Sequence, residues 1–354
     1  MEICTDIHKA LEAVTRPYEQ VCFIIDDGSM NDGLMNDVLM NDGLMRLGVS
    51  EAEKGIETVE KIWDFLFSQG MTRRGLLVAI GGGVLTDIAG FAAATCMRGI
   101  DYVNVPTTLL AMVDASSGGK TGINYHGLKN SIGAFHAPKA TLIYPEWLRT
   151  LPASQFLSGF GEMLKMGLVT SPRPSSRGEE GIGDRSLVIG DSGLWEALLR
   201  YDLETMPIEE LTPLIASCVA AKERIVAADP QEKGWRKVLN FGHTLGHAIE
   251  KCSNFSYSHG QCVAFGCLAA MQISGTMTAA EVDSIERLMA AVGLETRFRA
   301  MDQEEILQAT RKDKKMDHGH VRFILLRQLG EAYIDLDVSD AQMLEGLRSI
   351  MQTD

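Results

Sequence analysis

Short, continuous hydrophobic runs alternate with helical patterns in the first part of the chain. Four of these runs have the length of strands: residues 21–26, 76–80, 102–106 and 141–144. Continuous hydrophobicity is typical of strands in a parallel sheet that is covered on both faces. The small-residue segment DIAGFAAATCM follows the second run and predicts a helix. The alternation of strands and helices predicts a Rossmann-like α/β domain over residues 1–150.

The pattern changes to a helical period after this point. Hydrophobic residues recur at helical spacing over residues 210–228, 238–252 and 261–293. Near the end, residues 321–339 have the pattern of a small β-hairpin. The sequence therefore predicts a mainly α-helical domain over residues 151–354, so that the fold class is α/β followed by α.

Two segments have the character of insertions. Residues 30–45 repeat the unit MNDGL, MNDVL, MNDGL and end at a further methionine. A five-residue period fits neither a helix nor a strand, so we interpret the repeat as a local duplication that forms a short helix or loop. Residues 171–193 are rich in glycine, serine and charge, which predicts a surface loop without a catalytic role.

Composition and charge exclude several classes of protein. The chain has 354 residues and a net charge of −14, which disfavours nucleic acid as a partner. No hydrophobic run is long enough to span a bilayer, and the N-terminal MEICTDIHKALEAV lacks the apolar core of a signal peptide. The seven cysteines are odd in number and form no CxxC pair, which favours reduced thiols in the cytoplasm.

A glycine-rich turn, GGGVLTD, connects the second predicted strand to the following helix. The amides of Gly82, Gly83 and Val84 would face a pyrophosphate at the helix N-terminus. The turn departs from G-x-G-x-x-G because Thr86 stands where the last glycine would be. Asp87 either orients a neighbouring group or is an ordinary acid of the first helical turn. The turn therefore indicates a nucleotide site.

Histidines are clustered in the second half of the chain. His243 and His247 share one face of a helix in HTLGH, and His259 follows soon after in SHGQCVAFG. Together with a carboxylate such as Glu162 in SGFGEMLKMG, they have the donor types that catalytic zinc requires. Spacing alone does not identify the ligands, and paired histidines on a helix are often ordinary polar residues. Beside a nucleotide site, a metal here would favour redox chemistry on a hydroxyl group.

Cationic residues near these motifs point to an anionic substrate. Each of them taken alone is explained as a solvated side chain, but their joint placement in an acidic protein is informative. They are Lys120, Lys129, Lys222, Arg224, Arg236 and Lys314.

An ordered set of motifs gives these observations a common explanation. The first is GGGVLTDIAGFAAATCMRGIDYVNVPTTLLAMVDASSGGKTGINYHGLKNSIGAF, followed by LSGFGEMLKMGL and AAKERIVAADPQEKGWRKVLNFGHTLGHAIE, then SHGQCVAFG and DKK. The set resembles the 3-dehydroquinate synthases, a family of sugar phosphate cyclases similar in fold to glycerol dehydrogenase and iron-type alcohol dehydrogenases. The resemblance covers residues 50–326 and is weakest over the MNDGL repeat.

The resemblance implies a role for each matching position. The metal, zinc or cobalt, would be held by Glu162, His243 and His259, and His247 would face the substrate. NAD would contact Glu51, Lys54, Gly82, Gly83, Val84, Leu85, Thr86, Asp87, Thr107, Thr108, Lys120, Lys129, Trp147, Leu148, Arg149 and Thr150. The substrate would contact Arg98, Asp114, Lys120, Asn130, Lys165, Lys222, Arg236, Asn240, His247 and Lys314. Residues 147–149 follow the family pattern only loosely.

The resemblance also implies a reaction and an assembly. The substrate would be 3-deoxy-D-arabino-heptulosonate 7-phosphate, and the products 3-dehydroquinate and phosphate. Its C5 hydroxyl would be oxidised by NAD, phosphate would leave from C7, C5 would be reduced again, and an aldol closure would follow. The family implies a homodimer. Three alternatives remain open: a cyclase acting on sedoheptulose 7-phosphate or glucose 6-phosphate, a metal-dependent polyol dehydrogenase, and a non-catalytic protein that kept the fold.

Overall fold

The computed structural model describes residues 1–28, 43–170, 193–201, 208–312, 316–317 and 320–352. The chain divides into two compact units, Met1–Phe156 and Leu157–Asp354, and each is described by itself. Most of the MNDGL repeat and of the predicted loop at 171–193 lies outside the described residues. The end of the repeat is described, and it is a strand rather than the expected helix or loop.

Unit 1 contains a parallel sheet with helices on both faces. Its elements in chain order are β1 (Glu2–Ile3), α1 (Ile7–Thr15), β2 (Val21–Asp26), β3 (Leu44–Leu47), α2 (Ile56–Ser68), β4 (Leu76–Gly81), α3 (Gly83–Thr95), β5 (Asp101–Pro106), β6 (Lys120–Tyr125), β7 (Leu128–Phe135) and β8 (Ala140–Ile143). The sheet order is β1-β8-β5-β4-β2-β3, and all of its neighbouring pairs are parallel. The Rossmann-like α/β prediction is thus confirmed.

The central strand β4 explains why continuous hydrophobicity marked the strands. All six of its residues are buried. Leu76, Val78 and Ile80 point into the core shared with α1, whereas Leu77 and Ala79 point into the core shared with α2 and α3. Because both faces are covered, neither set of alternating positions is polar.

The strand order of the sheet reverses direction between β2 and β4. From β2 the chain moves outwards to β3, then returns to β4 on the other side of β2. In parallel sheets, such a reversal leaves space between the carboxyl ends of the two strands, and ligands bind there. The glycine turn follows β4 directly, so it lies at this end of the sheet.

Unit 2 is mainly helical. Its elements are α4 (Ala153–Thr170, which begins just before the division), α5 (Leu194–Leu198), α6 (Ile208–Ala228), α7 (His243–Cys252), α8 (His259–Ser274), α9 (Ala279–Val292), α10 (Gln303–Lys312), β9 (Met316–Asp317), β10 (His320–Val321), β11 (Phe323–Gln328), β12 (Glu331–Asp335) and α11 (Asp340–Ser349). The predicted terminal hairpin is confirmed as β11 and β12. No helix in the described ranges is long and apolar enough to cross a membrane.

The helices of unit 2 that carry Glu162 and the clustered histidines pack with their backbones almost in contact. A β-carbon on Gly161 of α4 would lie 2.2 Å from the carbonyl oxygen of Gly260 of α8. A β-carbon on Gly266 of α8 would lie 1.8 Å from the carbonyl oxygen of Gly242, which precedes α7. Real side chains do not approach so closely, so glycine is required for this spacing. The long helical pattern at 261–293 is broken at Gly275, whose φ of 64° ends α8.

Candidate active site

A fully buried carboxylate and ammonium group lie one turn apart on α4. Glu162 and Lys165 form an ion pair, and each side chain is 1% exposed. Burial opposes ionisation of Glu162, yet Lys165 and His259 outweigh it and lower the pKa of this carboxyl to about 2. The carboxylate is therefore charged in the interior of unit 2, where Lys165 balances its charge.

Two histidines direct their Nε2 atoms at this carboxylate. His243 begins α7 and His259 begins α8, and their Nε2 atoms lie 3.5 Å and 3.3 Å from Oε1 of Glu162. Nδ1 of His243 lies 3.1 Å from the carbonyl oxygen of Phe241, and Nδ1 of His259 lies 3.3 Å from Oε2 of Glu250. Both of these oxygens only accept, so each Nδ1 carries a hydrogen, and each Nε2 faces the carboxylate, where either a proton or a metal ion would lie between them.

The convergence of these donor atoms fits a metal ion. Two imidazole nitrogens and a carboxylate oxygen are the donor types of catalytic zinc, and outer partners on Nδ1 are what metal-bound histidines usually have. Burial alone would lower the pKa of His259, but Glu162 and Glu250 outweigh it and raise the pKa to about 9. The two carboxylates thus favour positive charge at this point, whether it is a proton or a metal ion.

His247 leaves the choice of ligands open on geometry alone. His243, His247 and His259 each offer one nitrogen within 4.8 Å of the others. The ring centroid of His247 is 5.0 Å from that of His243 and 5.6 Å from that of His259. The structure thus brings all four predicted residues of the cluster together, with Glu162 facing two of the three rings.

Further predicted anion-binding residues lie on α6 and in the turn Trp235–Asn240. Lys222 and Arg236 are buried, at 5% and 2% exposure. Asp229 organises this region, because it accepts from the backbone N–H groups of Lys233, Gly234 and Arg236 at 2.9, 2.7 and 3.1 Å. Asp229 therefore fixes the stretch of main chain that carries the Arg236 side chain.

Glu232 is a residue of this region that sequence reasoning missed. Its Oε1 accepts from Nδ2 of Asn240 at 2.7 Å, and its φ of 56° is unusual for a glutamate. The signal available in the sequence was weak, since Glu232 is one of 47 acids. Lys314 lies outside the described residues.

The glycine turn of unit 1 has the form expected for a phosphate site. Gly82 caps α3 and Gly83 begins it. A β-carbon on Gly83 would lie 2.8 Å from Cβ of Ala115, so the turn is closely packed. Asp87 lies in the second turn of α3, and its Oδ2 is 2.6 Å from Nζ of the buried Lys54. The alternative of a first-turn acid is wrong; Asp87 orients Lys54.

Asp26, at the carboxyl end of β2, was also missed. A β-carbon on Gly81 would lie 3.0 Å from Cβ of Asp26, so the Asp26 side chain packs beside the start of the glycine turn. Burial raises the pKa of Asp26. Asp26 and the glycine turn lie at the same edge of the sheet, at the carboxyl ends of two neighbouring strands. Its place at the end of a predicted strand was the signal.

Other predicted NAD contacts follow the carboxyl ends of neighbouring strands. Thr107 comes directly after β5, and its N–H donates to the carbonyl oxygen of Gly81 at 3.0 Å. The turn Pro145–Thr150 follows β8. Within it, Trp147 and Leu148 are buried at 6% and 3% exposure, so their side chains belong to the core. Contacts from this turn therefore fall to Arg149, Thr150 and the backbone.

Arg98 is separated from these residues within unit 1. It follows α3 and precedes β5, which places it at the amino edge of the sheet, opposite the glycine turn. Asp114, by contrast, lies beyond the carboxyl end of β5, and Lys120, Lys129 and Asn130 lie on the β6–β7 hairpin. The sequence did not predict this hairpin.

Comparisons with known proteins agree with the geometry. Family models of the 3-dehydroquinate synthase N-terminal and C-terminal regions match residues 44–158 and 185–316. A 3-dehydroquinate synthase from Synechococcus sp. is 41% identical over 86% of this chain and 80% of its own length. One from Opitutus terrae is 41% identical over 85% and 80%.

A solved structure extends the likeness to the fold. The 2-epi-5-epi-valiolone synthase from Streptomyces hygroscopicus subsp. jinggangensis, solved with NAD⁺ and Zn²⁺ bound, has a TM-score of 0.83 and 25% identity over 99% of this chain and 95% of that chain. The fold and the histidine–carboxylate cluster thus define a sugar phosphate cyclase-like protein. The two family models and the relatives at 41% identity are more specific. The chain belongs to the 3-dehydroquinate synthase family.

Proposed function

We propose that this protein converts 3-deoxy-D-arabino-heptulosonate 7-phosphate to 3-dehydroquinate and phosphate. The reaction comprises oxidation at C5, loss of phosphate from C7, reduction at C5 and aldol closure. The observation that carries the proposal is the convergence of Nε2 of His243 and His259 on Oε1 of Glu162, at 3.5 and 3.3 Å. Membership of the family supplies the substrate and the reaction.

Unit 2 would act as the metal-binding domain. Glu162, His243 and His259 would hold a zinc or cobalt ion, and His247 would face the substrate. A bound divalent ion would polarise the C5 hydroxyl and so assist loss of its hydrogen. Phe241 and Glu250 would keep the two imidazoles in the tautomer that presents Nε2.

Unit 1 would act as the NAD-binding domain. The amides at Gly82 and Gly83 stand at the start of α3, where the helix dipole would favour a pyrophosphate. Bound NAD would accept hydride from C5 and later return it. The ion pair between Lys54 and Asp87 would fix the ammonium beside the turn. The complete set of proposed NAD contacts is Glu51, Lys54, residues 82–87, Thr107, Thr108, Lys120, Lys129 and residues 147–150, with Trp147 and Leu148 contributing through their backbone.

Cationic and amide side chains would hold the two anionic ends of the substrate. Burial of Lys222 and Arg236 supports this role, because desolvated cations bind carboxylate and phosphate more strongly than solvated ones do. The proposed substrate contacts are Arg98, Asp114, Lys120, Asn130, Lys165, Lys222, Arg236, Asn240, His247 and Lys314.

A homodimer is part of the proposal. Arg98 is exposed at the amino edge of the sheet, away from the glycine turn of its own unit. In a homodimer, this arginine would instead reach a substrate bound to the second copy.

The seven cysteines are free, which supports a reducing cytoplasm as the working compartment.

One assay separates this function from its alternatives. Pure protein would be mixed with the heptulosonate phosphate, zinc or cobalt and a catalytic quantity of NAD, while phosphate and absorbance of NADH are followed. We expect phosphate release without lasting NADH. Lasting conversion of the added NAD to NADH would instead identify a polyol dehydrogenase. Turnover of sedoheptulose 7-phosphate or glucose 6-phosphate, but not of the heptulosonate, would select another cyclase.

A further inference from the structure

A β-bulge interrupts the β6–β7 hairpin where its proposed ligand-binding residues lie. Pairing is regular from Lys120 to Ile123, but the register shifts before Tyr125 pairs with Leu128. Asn124 is therefore the single residue of β6 that faces Lys129, Asn130 and Ser131 of β7. Bulges re-aim side chains and often occur beside active sites.

Asn124 supplies the hydrogen bond that the interrupted ladder lacks. Its Oδ1 accepts from the backbone N–H of Asn130 at 2.8 Å. Asn130 has a φ of 48°, a left-handed conformation that few non-glycine residues adopt. The side chain of Asn124 thus stabilises the bulge that presents Lys129 and Asn130.

The other groups of Asn124 bond to the segment that carries Glu51 and Lys54. Its Nδ2 donates to Oε1 of Glu51 at 2.8 Å and to the Glu51 carbonyl oxygen at 3.3 Å. Its backbone N–H donates to the carbonyl oxygen of Lys54 at 2.7 Å. Because Oδ1 accepts from an N–H group and Nδ2 donates to two oxygens, the orientation of the side-chain amide is fixed.

We infer that Asn124 is a positioning residue that couples the NAD-binding segment at Glu51–Lys54 to the bulge at Lys129–Asn130. This inference rests on the proposed function, which assigns Glu51, Lys54 and Lys129 to NAD and Asn130 to the substrate. A single carboxamide joins the two sets because it donates to one and accepts from the other. Asn124 is not among the proposed NAD or substrate contacts, so its role would be exerted through Glu51, Lys54 and Asn130.

Two substitutions separate the two halves of this role. Asn124→Ala removes both sets of side-chain bonds, so NAD affinity and kcat/KM for the heptulosonate phosphate should each fall about tenfold. Asn124→Asp keeps an acceptor for the N–H of Asn130 but places a carboxylate against Glu51. NAD affinity should fall at least as far, whereas the KM of the substrate at saturating NAD should stay within about threefold of wild type.

The measurements use the full, metal-loaded protein. The dissociation constant of NAD is obtained by calorimetry without substrate, and kcat and KM by phosphate release. His126→Asn is the control, since His126 lies in the turn of the same hairpin with a φ of 47° and its ring contacts Tyr125. This control should match wild type in both readouts.

The outcomes separate this inference from the proposed function. If wild type releases no phosphate from the heptulosonate, the proposed function fails, while the NAD titrations still test the coupling to Glu51. Values within about twofold of wild type for Asn124→Ala would overturn the inference. Equal losses of affinity for NAD and for the substrate in Asn124→Asp would also overturn it. If Asn124→Ala does not fold, the unequal response expected of Asn124→Asp decides.

Discussion

Oε2 of Glu250 lies 3.3 Å from Nδ1 of His259, on the side of the ring away from Glu162. Glu250 lies on α7 and its side chain is 9% exposed, so a largely buried carboxylate holds the imidazole at its Nδ1 edge. A carboxylate in this position fixes the ring and increases its basicity. A residue of a neighbouring helix thus orients Nε2 of His259 and increases its basicity.

The first prediction follows from this contact. Glu250→Gln retains an acceptor for Nδ1 but loses the charge, so zinc affinity should fall about tenfold or more. Competition with a chromophoric chelator measures this without any turnover. Glu286→Gln is the control, since Glu286 pairs with Arg297 at 2.7 Å and does not contact a histidine ring in the described structure. Unchanged affinity in Glu250→Gln would contradict the prediction.

A second prediction identifies the metal ligands. Glu162→Gln and His243→Ala should each lose bound metal and turnover, because each removes a donor from the converging set. His247→Ala should keep the metal and lose turnover, since its role is toward the substrate. Metal content by atomic emission and phosphate release measure the two effects. Metal loss in His247→Ala with retention in Glu162→Gln would favour the three-histidine set.

The third prediction concerns the contact between α4 and α8. A β-carbon on Gly260 would lie 1.8 Å from the carbonyl oxygen of Ser158. Gly260→Ala should lower the free energy of unfolding by about 3 kcal/mol, as overpacking does, and should also weaken metal binding because it displaces His259. Denaturant titration and chelator competition provide the two measurements.

Gly48→Ala is the matched control, because a β-carbon there would meet nothing within 4 Å. Its free energy of unfolding should lie within about 0.5 kcal/mol of wild type. A Gly260→Ala protein as stable as this control would show that the helices can separate without cost.

The fourth prediction concerns pH. Burial alone would raise the pKa of Asp229, but the amides of Gly234, Lys233 and Arg236 outweigh it and hold the pKa below its ordinary 3.8. A carboxyl whose pKa is lower in the folded state than in the unfolded state stabilises the fold at pH values above the unfolded-state pKa. This stabilisation is lost as pH falls through the folded-state pKa. The melting temperature of Asp229→Asn should therefore lie below wild type at neutral pH and converge with it below about 3.8.

Asp283→Asn serves as control for this experiment, because Asp283 forms an exposed pair with Arg287 at 3.0 Å. Exposed pairs of this kind contribute little to stability. A constant difference between wild type and Asp229→Asn down to the lowest pH would contradict the role of the charge.

The fifth prediction separates substrate from cofactor. Lys222→Ala should raise the KM of the heptulosonate phosphate about tenfold or more, since a buried cation that contacts an anion is lost. The dissociation constant of NAD should stay near that of wild type. Loss of NAD affinity instead would show that Lys222 belongs to the cofactor site.

The sheet of unit 1 could be predicted where hydrophobicity was continuous. Strands β2, β4, β5 and β8 lie within one residue of the predicted runs. The hairpin was missed because β7 is mostly exposed and the bulge at Lys129–Asn130 removes its alternation. The two residues of β1 are too few to form any pattern.

The candidate site was predictable in its residue types but not in its arrangement. Clustering of His243, His247 and His259 was visible in the sequence, whereas Glu162 joins them through the glycine contact between α4 and α8, which local pattern does not encode. Glu250 is three residues after His247 on the same helix, so its spacing was a usable signal. Its bond to His259 depends on the packing of α7 against α8.

The touching glycines of α4 and α8 have a consequence for ion choice. Gly161 and Gly260 adjoin Glu162 and His259 in sequence, so the separation of these two side chains is set by main chain that has no room to adjust. A rigid frame of this kind suits small ions with short bonds to nitrogen and oxygen, such as zinc or cobalt. Calcium, which needs longer bonds and more oxygen atoms, should be rejected by size and donor type alike.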